Sequence, residues 1–409
     1  MIKQWNDICL WSEDKTLFPP DAIDVGDLFA PLVFLVHRDG LTCRGIYAVT
    51  DLNEVEEEES VALLMPLQEK AEGELAEFVA ANGATVLNTV FAGAFDVLLR
   101  FLRPKREDLR VTLVGLGDVG GTVLTGLKLL GHELSQIAVY DHNEAMCRRY
   151  EMELNQVLCE RSGIPMPRVT ICREEELFDC DLFLFTASRG VPGLNSGVKD
   201  VRMAQFDANR AMLDVYARKA RAANFRGLFC QISDPVDHLA REVFLCSNRN
   251  ERDEYDYAGL LPEQVQGFGL GVMAARAAYY AAKEGIDFVA GRVYGPHGEG
   301  LVVANSACDG YDDAASRRLT ELTRTANLAV RELGFKPYIA PGLSSAAVSI
   351  LRLLRGQDHY GALALGGAYF GCTSRMTRRG PLLRRETICE QLYGRLEETH
   401  RRLRAFGEQ

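Results

Sequence analysis

Short apolar runs alternate with longer amphipathic segments in the middle of the chain. From residue 109 onward, the runs that predict strands are Val111–Val114, Ile137–Tyr140, Val169–Ile171, Leu182–Phe185 and Leu228–Gln231. Helical stretches of at least ten residues separate most of these runs. Because strand–helix–strand alternation folds through right-handed crossovers, the pattern predicts a parallel, doubly wound α/β sheet in residues 109–264.

The segments on either side have different patterns. Before residue 109, the runs that predict strands are Leu32–Val36, Gly45–Val49, Val61–Met65 and Ala84–Leu87. Apolar residues at helical spacing predict one helix around Leu75, Phe78 and Val79, and a second helix is predicted over Ala94–Leu102. Residues 1–108 therefore predict a small α/β domain of unknown role, which ends in the charged segment RPKRED. Residues 265–409, Ala/Gly-rich at first and then mixed, predict a further α+β domain.

Composition and charge exclude several classes of protein. The chain has 409 residues and a net charge of −11, which disfavours nucleic acid and anionic membranes as partners. No apolar run approaches the ~20 residues that span a bilayer, and the first residues do not resemble a signal peptide. The eleven cysteines form neither a C-x-x-C pair nor a zinc-type cluster. These features predict a cytoplasmic protein without a metal site, and the acidic run Glu56–Glu59 predicts a solvated loop or helix start.

A glycine-rich turn follows the first strand of the middle segment. Gly115, Gly117 and Gly120 form the pattern G-x-G-x-x-G, between an apolar strand and the apolar helix Val123–Leu130. Such glycines permit a tight turn, backbone approach to a pyrophosphate and close packing of helix on strand. The helix N-terminus adds free N–H groups, supplied here by the turn that includes Asp118 and Val119. The motif predicts a Rossmann-type dinucleotide site.

The second strand of this segment ends in a carboxylate. Asp141 follows Gly115 by 26 residues. A carboxylate at this position accepts hydrogen bonds from the adenine ribose and repels a 2′-phosphate, which favours NAD over NADP. Arg148 and Arg149 lie close in sequence, so NADP stays open as an alternative.

Further motifs follow in order along the chain: YDHNEAMCRRYEMELNQ, LFLFTAS, ISDPVD, GFGLGVMAAR, YGPHGEG and PGLSSAA. In order and spacing they resemble motifs of the NAD-dependent lactate and malate dehydrogenases, among them "SNPVD", "G-x-G-T-x-L-D-x-A-R", "GEHGD" and "G-x-T-S-x-A". The resemblance covers residues from about 110 to 390 and leaves the first 108 residues outside. It implies a Rossmann domain followed by a mixed substrate domain, NAD as the cofactor, and a homo-oligomer, either a dimer or a tetramer.

The resemblance also implies roles for individual residues. His297 would exchange a proton with the substrate, and Arg202 would polarise the reacting carbonyl group. Arg276 would clamp a substrate carboxylate, because it lies in a nearly apolar helix where a buried cation needs an anion from substrate or protein. Ser344 would line the substrate pocket. The positions implied to line the cofactor are Thr186, Ala187, Ser188, Asn209 and Ser233.

Two residues of the expected substrate site depart from the family pattern. Met273 replaces the aspartate that orients the catalytic histidine, which leaves the ring less firmly held and its protonated form less stabilised. Asp234 replaces the asparagine of "SNPVD", and an anion beside a developing alkoxide opposes carbonyl chemistry. Two readings of Asp234 stay open: it takes over the pairing with His297, or it faces the cation of an iminium or amine substrate.

The segment between Thr186 and Arg202 is about five residues longer than its counterpart in malate dehydrogenases. Its glycines at 190, 193 and 197 suit a hinge that closes over substrate. A longer lid suggests a substrate larger than a small oxoacid, and a tolerated surface insertion is the alternative.

Three functions follow from these observations. The favoured one is an NAD-dependent oxidoreductase that acts on a non-standard substrate, a small-molecule or peptide-like carboxylate, by C=N or C=O reduction. The second is a conventional 2-hydroxyacid dehydrogenase with a rebuilt catalytic dyad. The third is an inactive NAD-binding scaffold or regulatory subunit. Retention of His297, Arg276 and Arg202 together favours chemistry, whereas Met273 and Asp234 argue against the conventional reaction.

Overall fold

The computed structural model describes residues 1–104, 106, 108–158, 166–189 and 201–406, except the side chains of residues 201–204. Two large sheets, one two-stranded sheet and the helices around them make up this part of the chain. The predicted lid, with glycines 190, 193 and 197, lies outside the described residues, and so does the side chain of Arg202.

The N-terminal sheet has six strands in the order β3-β1-β2-β4-β6-β5. Its elements are β1 (Ile2–Trp5), β2 (Ile8–Trp11), β3 (Ile23–Asp24), β4 (Leu32–Val36), β5 (Ile46–Val49), α1 (Glu74–Asn82), β6 (Ala84–Asn88) and α2 (Ala94–Leu102). The predicted α/β character is confirmed. The sequence pattern missed β1–β3, and the strand predicted at Val61–Met65 was wrong. Residues Val61–Leu64 form a 3-10 turn in which Val61, Leu63 and Leu64 are buried. The apolar run therefore indicated burial correctly but not the backbone conformation.

The central sheet contains the predicted parallel, doubly wound core. Its first strands and helices are β7 (Leu109–Val114), α3 (Asp118–Leu130), β8 (Leu134–Tyr140), α4 (Glu144–Asn155), β9 (Arg168–Ile171), β10 (Leu182–Phe185), α5 (Val201–Ala222), β11 (Leu228–Gln231), α6 (Val236–Ser247) and β12 (Val265–Gly267). The parallel strands lie in the order β9-β8-β7-β10-β11-β12, and the order reverses between β7 and β10. Ligands of doubly wound sheets bind where the order reverses, beyond the carboxyl ends of the strands.

The C-terminal segment packs α7 (Leu270–Glu284) and later helices against a second set of strands. These elements are β13 (Arg292–Tyr294), β14 (Val302–Ala304), α8 (Asp313–Glu332), a π-helical segment (Pro341–Val348), α9 (Ser349–Leu354), β15 (His359–Leu365), β16 (Ala368–Thr377), β17 (Gly380–Leu383) and α10 (Glu390–Ala405). Strand β15 pairs antiparallel with β12, so the central sheet continues across residue 264. The domain boundaries at 108 and 264 stay predictions. The strand that precedes His297, β13, begins at Arg292.

The N-terminal domain shares a core with the central sheet. One apolar cluster contains Leu10, Leu87 and Val97 together with Phe183 and Phe229 of β10 and β11. Burial of this continuous surface fixes the added domain against the sheet.

Buried and partly buried carboxylates at and near this junction have polar partners. Glu263 accepts hydrogen bonds from the backbone N–H groups of Gly45 and Ile46, at 2.9–3.0 Å. The side chains of Arg44 and Glu59, each 8% exposed, form an ion pair at 2.9 Å. Glu57 pairs with Arg385. The prediction of a solvated loop for the acidic run was therefore wrong for Glu57 and Glu59. Tertiary folding brings Arg385 and Arg44 against these two carboxylates.

Candidate functional site

The glycine turn joins β7 to α3 at the point where the strand order reverses. Gly115 has φ +96°, a conformation that side chains with a Cβ rarely adopt, and a Cβ there would lie 2.5 Å from the backbone nitrogen of Ala187. A Cβ on Gly120 would collide with the carbonyl oxygen of Gly115. A Cβ on Gly117 would meet nothing within 4 Å. The turn is thus closed on the protein side and open at Gly117, beside the free N–H groups that begin α3 at Asp118 and Val119. This geometry fits a pyrophosphate.

Asp141 lies beside this turn, at the carboxyl end of β8. Its carboxylate accepts hydrogen bonds from the N–H of Leu116 at 2.8 Å and of Asn143 at 2.9 Å. It also lines an open cleft of about 760 Å³, together with Asn143 and Arg148. Two anchored oxygens keep spare lone pairs for ribose hydroxyls, so the position suits the predicted role. The exposed guanidinium of Arg148 keeps the alternative of a 2′-phosphate open.

Other residues predicted to line the cofactor hold the neighbouring loops together. The Thr186 hydroxyl donates to the carbonyl oxygen of Gly115 at 2.6 Å, and the Ser233 hydroxyl donates to that of Ala187 at 2.6 Å. The Asn209 amide accepts from the backbone N–H of Arg189 at 2.9 Å, donates to the carbonyl oxygen of Asp234 at 2.7 Å, and lies 3.4 Å from the Ser188 hydroxyl. Asn209 has no exposed surface. These side chains position the turn and Asp234 by hydrogen bonding to backbone.

His297 is held by two backbone contacts. Its ring Nδ1 lies 2.8 Å from the carbonyl oxygen of Gly269. Its backbone N–H donates a hydrogen bond to the carboxylate of Asp237 at 2.8 Å. Because a carbonyl oxygen can only accept, Nδ1 carries a proton and Nε2 of the neutral ring is an acceptor. A Cβ on Gly269 would lie 2.6 Å from the Cβ of His297, so the contact requires glycine. The Gly269 carbonyl therefore orients the ring where the family uses an aspartate.

Asp234 lies on the other side of the ring. Its Oδ1 is 3.6 Å from Nε2 of His297, and its side chain is 50% exposed. Nε2 is the nitrogen left free to exchange protons, so Asp234 does not replace the missing orienting aspartate. It places a negative charge beside the atom on which His297 would act.

Arg276 and Met273 lie one turn apart on α7, with Nη1 of Arg276 3.9 Å from Sδ of Met273. Met273 is 2% exposed and packs in the apolar cluster of α7. Burial lowers the pKa of Arg276, and the charge of Asp234 acts in the opposite direction. Among the residues that the structure describes, no carboxylate forms an ion pair with Arg276. This half-buried guanidinium is therefore available to a ligand anion.

Ser344 follows Leu343 in the π-helical segment and lines a second cavity beside α7. This cavity of about 400 Å³ is also lined by Arg292, Arg352 and His359, and its wall includes neither His297 nor Arg276. The neighbouring Ser345 is buried and donates its hydroxyl to the Gly269 carbonyl at 2.7 Å. Sequence reasoning assigned no role to Ser345, Gly269 or Asp237. The only signal for them was their place inside the motifs PGLSSAA, GFGLG and ISDPVD.

No protein-family model matches the sequence, and no curated protein matches it by sequence. Solved structures do match the fold. About 73% of the chain has the fold of lactate and malate dehydrogenases. A lactate dehydrogenase from a Medee basin deep-sea metagenome library is 17% identical, with a TM-score of 0.58, and the match covers 73% of this chain and 97% of that chain.

Two further structures show the same likeness. The minor L-lactate dehydrogenase of Enterococcus mundtii is 18% identical, with a TM-score of 0.59 and coverage of 73% of this chain and 98% of that chain. The malate dehydrogenase of Picrophilus torridus is 15% identical, with a TM-score of 0.57 and coverage of 72% and 95%. The scaffold is thus dehydrogenase-like.

The described residues contain no group of three or more His, Cys, Asp or Glu side chains placed to hold a metal ion. None of the helices in that part of the chain is long and apolar enough to cross a membrane.

Proposed function

We propose that the protein is an NAD-dependent oxidoreductase that reduces a C=N bond in a carboxylate-bearing substrate. The observation that carries the proposal is the pair formed by Nε2 of His297 and the carboxylate of Asp234, 3.6 Å apart, with Arg276 nearby, which has no ion-pair partner among the described residues. The glycine turn and Asp141 would hold the cofactor.

Arg276 would bind the substrate carboxylate. The guanidinium is half-buried on an apolar helix, so an anion that satisfies it through two parallel hydrogen bonds gains more than it would in water. Arg202 would contribute from α5 as the predicted second cation.

The reacting atom would lie between His297 and Asp234. A point about 2.9 Å from both polar atoms exists, because they are 3.6 Å apart. An amine nitrogen at this point can donate one hydrogen bond to neutral Nε2 and another to the carboxylate. A carbonyl oxygen carries no hydrogen, so it is repelled by Asp234. The pair therefore favours a nitrogen over an oxygen.

In the proposed reaction, a neutral imine takes a proton from protonated Nε2 of His297. The resulting iminium cation lies beside Asp234, which stabilises it by Coulomb attraction. The cofactor, when bound and reduced, supplies a hydride to the iminium carbon, and the product is an amine.

A conventional 2-hydroxyacid dehydrogenase is the second candidate. The contact between the Gly269 carbonyl and Nδ1 of His297 favours this candidate. The contact keeps the proton on Nδ1 and leaves Nε2 to exchange a proton with the substrate, as carbonyl reduction requires. An inactive NAD-binding scaffold is the third, favoured by the apolar Met273 in place of a carboxylate.

Absorbance of reduced nicotinamide distinguishes the three. The protein is mixed with NADH and a panel of 2-oxoacids, first alone and then with ammonium or alkylamines. Oxidation of NADH only when amine is present supports imine reduction. Oxidation without amine supports the conventional enzyme, and tight NADH binding without turnover on either panel supports the scaffold.

A further inference from the structure

A cavity of about 440 Å³ lies at the amino ends of the parallel strands, where the last helix of the N-terminal domain meets the central sheet. Leu109 and Leu228, at the first residues of β7 and β11, form part of its wall. Strand β7 has six residues, so the cavity lies about 20 Å from the glycine turn at the opposite end of the strand. It is a separate site from the dinucleotide cleft.

The lining combines an apolar wall with many cations. Phe101, Leu228, Leu354 and Met376 are among the apolar side chains. Among the described residues, seven arginines line the same cavity and one carboxylate does, that of Asp181. In a chain with a net charge of −11, this is a local concentration of positive charge.

Most of these arginines have carboxylate partners. Arg100 and Arg106 pair with Asp181 at 2.6 and 3.3 Å. The remaining partnered arginines bind carboxylates behind the lining, in the pairs Arg226–Asp96, Arg355–Glu133 and Arg375–Asp358.

Two arginines remain in excess. Within the described parts of the chain, Arg103 and Arg378 have no carboxylate partner, and one Nη of Arg378 donates to the carbonyl oxygen of Leu102 at 2.7 Å. Both side chains are exposed residues of the cavity lining. They can bind an anionic group without breaking an existing ion pair.

We propose that this cavity binds a small amphipathic anion. Its apolar body lies against Phe101, Leu228, Leu354 and Met376, and its carboxylate or phosphate group lies between Arg103 and Arg378. At about 30 Å³ for each water-sized unit, the volume holds roughly fifteen such units, which suits a compact ligand. The wall includes Phe101 of α2 and, after that helix, Arg103 and Pro104, so the site depends on the added N-terminal domain.

Calorimetric titration with decanoate tests the proposal. The controls are 1-decanol, which has the alkyl chain without the charge, and acetate, which has the charge without a long alkyl chain. We expect one decanoate per chain, much weaker binding of decanol and acetate, and no change in decanoate affinity when NADH is saturating. Displacement of decanoate by NADH would overturn the proposal, and so would equal affinity for decanol or an absence of decanoate binding.

Variants locate the site. The double variant Arg103→Glu, Arg378→Glu should weaken decanoate binding by about tenfold or more, because two charge-assisted contacts become repulsive. The matched control Arg252→Glu, Arg331→Glu changes the net charge equally at exposed positions away from the cavity and should leave the affinity unchanged. Leu354→Trp fills the cavity and should abolish decanoate binding while NADH binding persists. Equal weakening by the control pair would refute the assignment.

Discussion

Replacing Asp234 by asparagine removes one charge at nearly constant shape, and the sign of its effect depends on the reaction. If the substrate passes through an iminium cation, Asp234→Asn removes a stabilising charge and lowers the rate. If the substrate is a 2-oxoacid, the same change removes repulsion of the developing alkoxide and raises the rate. One variant therefore separates the two chemistries.

The size of the effect follows from the distance between the charges. The carboxylate of Asp234 lies 3.6 Å from Nε2 of His297, and the reacting atom would lie no farther away. At that distance, two unit charges interact by about 1 kcal/mol in water and about 5 kcal/mol at an effective dielectric constant near 20. Asp234 is 50% exposed, so the lower part of this range applies. An effect of about 1–2 kcal/mol corresponds to roughly five- to thirtyfold in rate.

The assay is kcat/KM from NADH absorbance for wild type and Asp234→Asn, with a 2-oxoacid alone and with the 2-oxoacid plus amine. We expect the amine-dependent rate to fall and the amine-independent rate to rise. The control Asp287→Asn removes an exposed carboxylate outside the His297–Asp234 pair and should change neither rate. Unchanged rates for Asp234→Asn with both substrates would refute the reasoning, because Asp234 would then not face the reacting atom.

Three further predictions concern substrate, cofactor and stability. Arg276→Lys keeps the charge but loses the two-pronged geometry, so kcat/KM should fall by about ten- to a hundredfold, and an unchanged kcat/KM would contradict a carboxylate at this position. Asp141→Ala should weaken NADH binding by about tenfold, measured by nicotinamide fluorescence, and should narrow any difference between NADH and NADPH. Burial raises the pKa of Glu263 from 4.5 to about 7, so its ionised form is disfavoured in the fold and the free energy of unfolding falls as pH rises from 4.5 through 7. Relative to Glu263→Gln, which has no such titration, wild type should lose up to about 3 kcal/mol over this range in urea unfolding, and parallel pH profiles would contradict the shift.

Local sequence pattern determined much of the fold. Strands β4, β10 and β11 and helix α2 match the predicted bounds residue for residue. The three strands are almost entirely buried and lie between turn or charged residues, whereas α2 buries one face. The glycine turn was also predictable from sequence, because local geometry requires glycine there. Gly115 has a positive φ, and a Cβ on Gly120 would collide with the carbonyl oxygen of Gly115. The order of the parallel strands follows from right-handed crossovers.

Tertiary structure decided what the sequence left open. Whether Asp234 would orient His297 or face its reactive nitrogen depends on which ring atom meets the Gly269 carbonyl, and these residues are 28 positions apart. The burial of Glu59 against Arg44 and the position of Ser344 in a separate cavity likewise depend on contacts between distant segments. Sequence periodicity reports how one element meets the core, whereas the chemistry of a site depends on distances between side chains from several elements. The residue types at the site were therefore predictable, but the partner of each charge was not.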